Sequence, residues 1–146
     1  MDYGGHDKKP CKACTDFKSF MKAGPQKPKA NPKPCPPDVN EIGNGTWTLL
    51  HTMSVYLPES KLSETQKSDA KTFMSILSRN YPCSHCAEDL RQDLKEIPPK
   101  VETGKDFAEW MCQLHNKVNV KLGKKVFDCS QVYQRWKDGY PDRTCD

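Results

Sequence analysis

The sequence predicts an all-α protein, a four-helix bundle with a short fifth helix and a flexible N-terminal tail. Three observations lead there. Apolar residues recur at helical spacing in four separate segments, as in "SDAKTFMSILSRNY" with Ala70, Phe73, Met74, Leu77 and Tyr81. Prolines and turn residues stand between these segments and not inside them. No alternating strand pattern survives alongside them, and short loops between four helices favour a bundle.

The elements follow in order. Residues 1–34 carry eight Lys and three Asp, and seven of the 12 prolines fall in the first 37 residues. The segment "QKPKANPKPCPP" places Pro every two to four residues, so it is expected as an extended, solvated linker. Within that tail, "CKACTDFKSFM" sets Phe17, Phe20 and Met21 on one face, enough for a brief docking helix. The composition turns globular at Glu41. A first helix is expected from about Asn44 or Thr46, as N-cap, to Pro58. Ser63 with Glu64 and Gln66 opens the second as a capping box. A third begins at the Cys83-x-x-Cys86 pair, turns Ala87, Leu90, Leu94 and Ile97 inward, and ends at Pro98. A fourth runs from about Lys105 to Leu122, with Phe107, Met111, Leu114 and Val118 inward and Gly123 as its stop. The fifth covers about 130–137. Two regions result, a tail over 1–34 and a helical domain over 35–146.

Charge argues against a nucleic-acid role. The net +4 is a property of the tail: residues 1–34 sum to +5, which leaves about −1 for the rest. A nucleic-acid domain concentrates basic charge on its folded face. No apolar run of 18 residues exists, so no membrane insertion is expected. No apolar leader opens the sequence, so no secretory signal is expected.

Eight cysteines, at 11, 14, 35, 83, 86, 112, 129 and 145, suit either a disulfide framework or metal sites. If they are paired, the compartment is oxidising yet reached without a visible signal. Cys83 and Cys86 open a helix, where unpaired N–H groups and the helix dipole stabilise a thiolate. A disulfide across so short a loop adds little chain-entropy stabilisation, which points away from a purely structural pair. On the fourth helix Cys112, His115, Asn116 and Asn119 form one polar stripe at i, i+3, i+4, i+7. Trp47 and His51 make a polar-aromatic face on the first helix, and Lys121, Lys124 and Lys125 follow the stripe. Together these side chains suit a flat ring system with a phosphate tail. By spacing alone, Cys83, Cys86, Cys112 and His115 also read as a Cys3His zinc set. That reading leaves Cys129 unexplained, and it places two ligands inside a helix. Cys112 and Cys129 can tie the fifth helix to the fourth. Cys35 and Cys145 can pair within one chain or across a dimer.

The segments "CPPDVNEIGNGTWTLLHTMSVY", "YPCSHCAEDLR", "CQLHNKVNVKLGKKVFDCSQVYQRWKDG" and the terminal "CD" together resemble the Erv/ALR sulfhydryl oxidase family, from about Cys35 to Asp146. The resemblance implies a homodimeric five-helix fold with FAD in the bundle. It implies that Cys83 and Cys86 are the redox pair, with Cys86 facing the flavin in a charge-transfer contact and Cys83 as the interchange thiol. Cys11 and Cys14 resemble a distal shuttle pair that takes electrons from client proteins. Cys112–Cys129 is implied as a structural disulfide and Cys35–Cys145 as an intersubunit one. The implied FAD contacts fall on Gly43, Trp47, His51, Tyr56, Cys112, His115, Asn116, Asn119, Lys121, Lys124, Arg135 and Trp136, with no metal. In one departure, Gly43-Asn44-Gly45 stands where relatives often carry a basic residue; backbone, Lys121 or Lys124 is expected to take that contact.

The implied activity is disulfide formation in clients, with O2 or cytochrome c as acceptor. The implied partners are the thiol-oxidising import receptor of the mitochondrial intermembrane space or other dithiol proteins. That space is the implied location, with cytosolic or secreted forms as alternatives. The 20 residues between Cys14 and Cys35 would reach roughly 25 Å as a flexible chain, which suits a swinging arm.

Overall fold

A computed structural model describes residues 34–144. The tail island, Cys11, Cys14 and Cys145 therefore lie outside the described residues. The chain divides into two units, with the boundary in sequence between Asn44 and Gly45. Helix α1 is Val39–Tyr56, α2 is Glu64–Asn80, α3 is Ser84–Glu96 and α4 is Gly104–Lys121. A 3-10 turn at Cys129–Gln131 and a short π-helical segment at Gln134–Asp138 complete the order. The all-α expectation holds: among the described residues only one isolated β-bridge occurs, between Lys61 and Thr103.

The start of α1 corrects the sequence reading. Neither Asn44 nor Thr46 is the cap. Asp38 Oδ1 accepts from the N–H groups of Asn40 and Glu41, while Glu41 Oε2 accepts from the Asp38 N–H at 2.8 Å. This reciprocal Asp-x-x-Glu pairing satisfies the first orphan donors, and it carries the helix through Gly43 and Gly45. At the other end α1 stops at Tyr56, short of Pro58.

The remaining caps follow the chemistry of their residues. Ser63 and Gln66 form the expected capping box. Thr103 and Asp106 form another, so α4 opens at Gly104. Gly123, at φ +67, follows the end of α4, where a left-handed backbone favours glycine. The expected short fifth helix is present as a continuous helical stretch that begins as the 3-10 turn, passes through Val132 and Tyr133 with helical dihedrals, and ends as the π segment.

The core gathers Leu50, Met74, Val101, Phe107, Trp110, Met111 and Leu114, with Trp47, Leu57, Leu77, Leu90, Leu94 and Ile97 packed around it. A second cluster joins Val55, Ala108, Cys112 and Val132. Phe73, on the predicted helical face of α2, is exposed while its neighbour Met74 is fully buried. Helices α1 and α4 run antiparallel. Gly104 N–H donates to the Pro58 carbonyl at 3.0 Å at one end, and Trp47 stacks on His115 further along. The α1–α2 and α3–α4 connections touch, with Leu62 N–H donating to the Glu102 carbonyl at 3.0 Å.

Candidate active site

Helix α3 begins on a sulfur. Cys83 is its N-cap, in extended backbone, and its Sγ accepts from the Cys86 N–H at 3.4 Å. Pro82 precedes it and cannot extend α2. Cys83 and Cys86 are joined in a disulfide with Cα atoms 5.3 Å apart. An anion at this position faces the positive end of the α3 dipole, which favours the thiolate once the bond opens. In the single chain Cys83 is only 7 % exposed and Cys86 is half-buried. His85 is exposed and turns toward Asp89 at 3.6 Å.

The stripe on α4 meets α1 through aromatic rings. Trp47 stacks on His115 with centroids 4.0 Å apart and planes within 5°. His51 stacks on Trp136 at 4.6 Å and 4°. The two imidazoles touch, His51 Nε2 to His115 Nδ1, at 2.9 Å. Arg135 lies over the Trp136 ring at 4.0 Å. Burial, helped by the charges of His115 and Arg135, holds His51 down at about 3. Burial and then the Lys124 charge hold His115 at about 4. Both rings are therefore neutral at physiological pH, and one donates to the other. Whichever tautomer applies, His51 Nδ1 is buried with no hydrogen-bond partner among the described residues. A buried polar atom without a partner costs on the order of 1–3 kcal/mol, so this atom points to a polar ligand group. A flat heteroaromatic ring with amide-like edges fits both the stacked rings and the unpartnered nitrogen.

Asn116 is held by Phe127. Its Nδ2 donates to the Phe127 carbonyl and its Oδ1 accepts from the Phe127 N–H, both at 2.8 Å. Asn119 Nδ2 donates to the same Oδ1 at 3.2 Å. The Cys112–Cys129 disulfide closes this excursion, with Cα atoms 5.7 Å apart. All three sulfurs of the alternative zinc set are thus held in disulfides.

The other expected site residues are more scattered. Lys121 donates to both oxygens of Asp93, at 3.0 and 2.9 Å, so its ammonium already has a carboxylate partner. Lys124 is exposed and Tyr56 is 66 % exposed. Lys137 lies 5.7 Å from the centroids of both Tyr56 and Tyr133. Gly43 is half-buried in α1 within the first unit, and Cys35 is exposed.

Three contributors escaped the sequence reading. Ser54 is fully buried and donates to the His51 carbonyl at 2.8 Å. Phe127 works through its backbone, which leaves no sequence signal. Asp93 had one: it is a charge on the inward face of α3, opposite lysines four apart on α4.

Comparison with known proteins supplies the context. Residues 44–137 match the family model described as Erv1 / Alr family. The chain is 43 % identical over 107 residues to "Mitochondrial FAD-linked sulfhydryl oxidase ERV1" of Saccharomyces cerevisiae, covering 73 % of this chain and 56 % of the relative. It is 34 % identical over 157 aligned positions to the Schizosaccharomyces pombe protein of the same description, covering 87 % and 85 %. The crystal structure of the yeast Erv1 core is similar with a TM-score of 0.72 at 42 % identity, over 77 % of this chain and 95 % of that one. The chain spans little more than half the length of the budding-yeast relative.

Proposed function

This chain belongs to the Erv1 / Alr family, and from that premise we propose that it is an FAD-linked thiol oxidase that makes disulfides in client proteins. Electrons pass from Cys11 and Cys14 to Cys83 and Cys86, then to FAD, and on to O2 or cytochrome c. The observation that carries the reading is the Cys83–Cys86 disulfide at the head of α3. A short-loop disulfide stabilises little, and its place at the helix N-terminus favours a reactive thiolate.

In the first steps a client thiolate attacks the Cys11–Cys14 disulfide. A mixed disulfide forms, the second client thiol resolves it, and the client leaves oxidised by two electrons and two protons. One thiolate of the reduced shuttle then attacks Cys83, with Cys86 as the leaving sulfur; the second shuttle thiol resolves the mixed disulfide, re-forming Cys11–Cys14 and releasing Cys83. The backbone N–H of Cys86, which already points at the Cys83 sulfur, favours the Cys83 thiolate released in that second exchange.

FAD, when bound, supplies a two-electron acceptor for the Cys86 thiolate and passes the pair to the terminal acceptor. Trp47, His51, His115 and Trp136 would hold its ring. His51 Nδ1, buried and otherwise unpartnered among the described residues, would be available to a polar edge of that ring. Both imidazoles are neutral, so the charges acting on that pocket are those of Arg135 and Lys124. Cys112, Asn116 and Asn119 would line the cofactor along α4, with Tyr56 at the end of α1 and Lys121, Lys124 and Arg135 toward its phosphates.

The protein works as a homodimer. Leu49, Met53 and Tyr56, at i, i+4 and i+7 on α1, and Phe73 and Ile76 on α2 are exposed apolar side chains, and covering them is favourable. Cys35 and Cys145 then link the subunits. The yeast relatives are named as mitochondrial, and we place this chain in the intermembrane space, where dithiol import clients are oxidised.

The test is a visible spectrum of the purified chain together with dithiothreitol oxidation. A yellow protein that consumes O2 or reduces cytochrome c is expected. A colourless protein with intact helices would overturn the proposal.

A further inference from the structure

Asp93 is a carboxylate where the helix pattern calls for an apolar side chain. It lies on the face of α3 shared with Leu90, Leu94 and Ile97, and it is only 1 % exposed. A charge in that position needs partners. Lys121, the last residue of α4, donates to both of its oxygens. Lys117, one turn earlier, stands 3.4 Å from it and also binds Glu96. The result is a two-rung ladder between antiparallel segments, Asp93 with Lys121 and Glu96 with Lys117.

We propose that Asp93 is a positioning residue that fixes the register of α3 against α4, and with it the redox pair on α3 relative to the stripe His115, Asn116 and Asn119 on α4. The inference rests on the thiol oxidase reading and adds a residue to it. The apolar contacts between these helices, Leu94 and Ile97 with the Phe107, Trp110, Met111 and Leu114 cluster, tolerate sliding. The ladder does not. If α3 slid one turn along α4 in that direction, Asp93 would keep Lys117 alone, Glu96 would face Gln113, and Lys121 would lose its carboxylate. Asp93 is buried while its lysines are partly exposed; an ion pair with a buried partner contributes little net stability compared with apolar side chains of similar size, and its best-attested use is to specify one geometry. Trp110 supports the same register, its indole N–H donating to the Ile97 carbonyl at 2.9 Å. Positional error of this kind matters because about 1 Å of misplacement can slow a reaction by about a hundredfold.

The experiment compares the full chain, as purified with its flavin, with Asp93→Asn and with the apolar pair Asp93→Leu/Lys121→Met. Four quantities are read: flavin per chain, melting temperature, thiolate-to-flavin charge-transfer absorbance after partial reduction with dithiothreitol, and turnover per flavin. Asp93→Asn is expected to keep most of its flavin, to lose most of the charge-transfer absorbance, and to turn over roughly ten- to a hundredfold more slowly. In the double variant the melting temperature recovers while the absorbance and turnover do not. Wild-type absorbance and turnover per flavin in either variant, whatever the melting temperature, would overturn the proposal. If Asp93→Asn does not fold, the double variant decides alone. A wild-type chain without flavin would instead sink the oxidase reading, and this proposal with it, and the wild-type sample shows that directly.

Discussion

Asn116 pairs edge-on with the backbone of Phe127, one amide meeting one peptide through two hydrogen bonds of 2.8 Å across eleven residues. The same Nδ2 lies 3.5 Å from the Cys129 sulfur. One side chain therefore shapes the loop that brings Cys129 to Cys112. Asn116→Ala leaves the Phe127 N–H and carbonyl without that partner, at about 1–3 kcal/mol for each one that water does not reach. Urea unfolding should show a lower midpoint, and flavin retention should fall with it. Asn116→Asp restores only the acceptor half of the pairing and should fall between the two.

The shuttle is separable from the core. Cys11→Ser/Cys14→Ser should abolish oxidation of a protein client while sparing oxidation of dithiothreitol, because the small thiol reaches Cys83–Cys86 unaided. Cys83→Ser should abolish both, with flavin still bound. Equal loss on both substrates in the tail variant would make the tail pair structural.

Acid should weaken the fold through His51. Its folded-state value of about 3 lies below the roughly 6.5 of an unfolded histidine, so the unfolded chain takes up a proton that the folded chain refuses. Stability is constant above about pH 6.5 and declines as pH falls from there toward about 3. Between pH 6.5 and 5 the loss is about 2 kcal/mol from this residue. Denaturant titrations of flavin-free protein at the two pH values check it, and His51→Phe should remove about half of the dependence, since His115, held at about 4, supplies a similar share.

Two glycines should respond oppositely to alanine. A Cβ at Gly45 meets nothing within 4 Å, so Gly45→Ala should stabilise α1 by about 0.5–1 kcal/mol. A Cβ at Gly104 would lie 2.1 Å from the Pro58 carbonyl oxygen. Gly104→Ala should destabilise by about 1–3 kcal/mol or more. Thermal melts of the two variants, in opposite directions, are the readout.

Non-reducing gels should show a covalent dimer that reduction converts to monomer. Cys35→Ser should abolish the dimer band and leave dithiothreitol oxidation in place.

Much of this architecture was legible because it is local. Helical spacing, the Ser63–Gln66 box and the Gly123 stop depend on residues a few positions apart, and the structure repeats them. The start of α1 was not, because Asp38 follows two prolines and Gly43 and Gly45 look like a turn. Their low helix propensity is outweighed by the cap. The stripe on α4 was legible as a pattern. Its pairing of His115 with His51, 64 residues away, depends on tertiary packing that periodicity does not encode. Asp93 shows a different limit. Its spacing fits an inward position, but nothing local marks a carboxylate as buried without the two lysines that partner it from another helix.

The backbone contact between the α1–α2 and α3–α4 connections has a practical consequence. Lys61 bridges Thr103, Leu62 bonds Glu102, and Gly104 bonds Pro58 and Ser60. The two crossovers form a single splice, so the hairpins they belong to are not interchangeable cassettes. A chimera that imports one hairpin from a relative inherits half a joint, and grafts will seat only when residues 58–62 and 102–104 travel together.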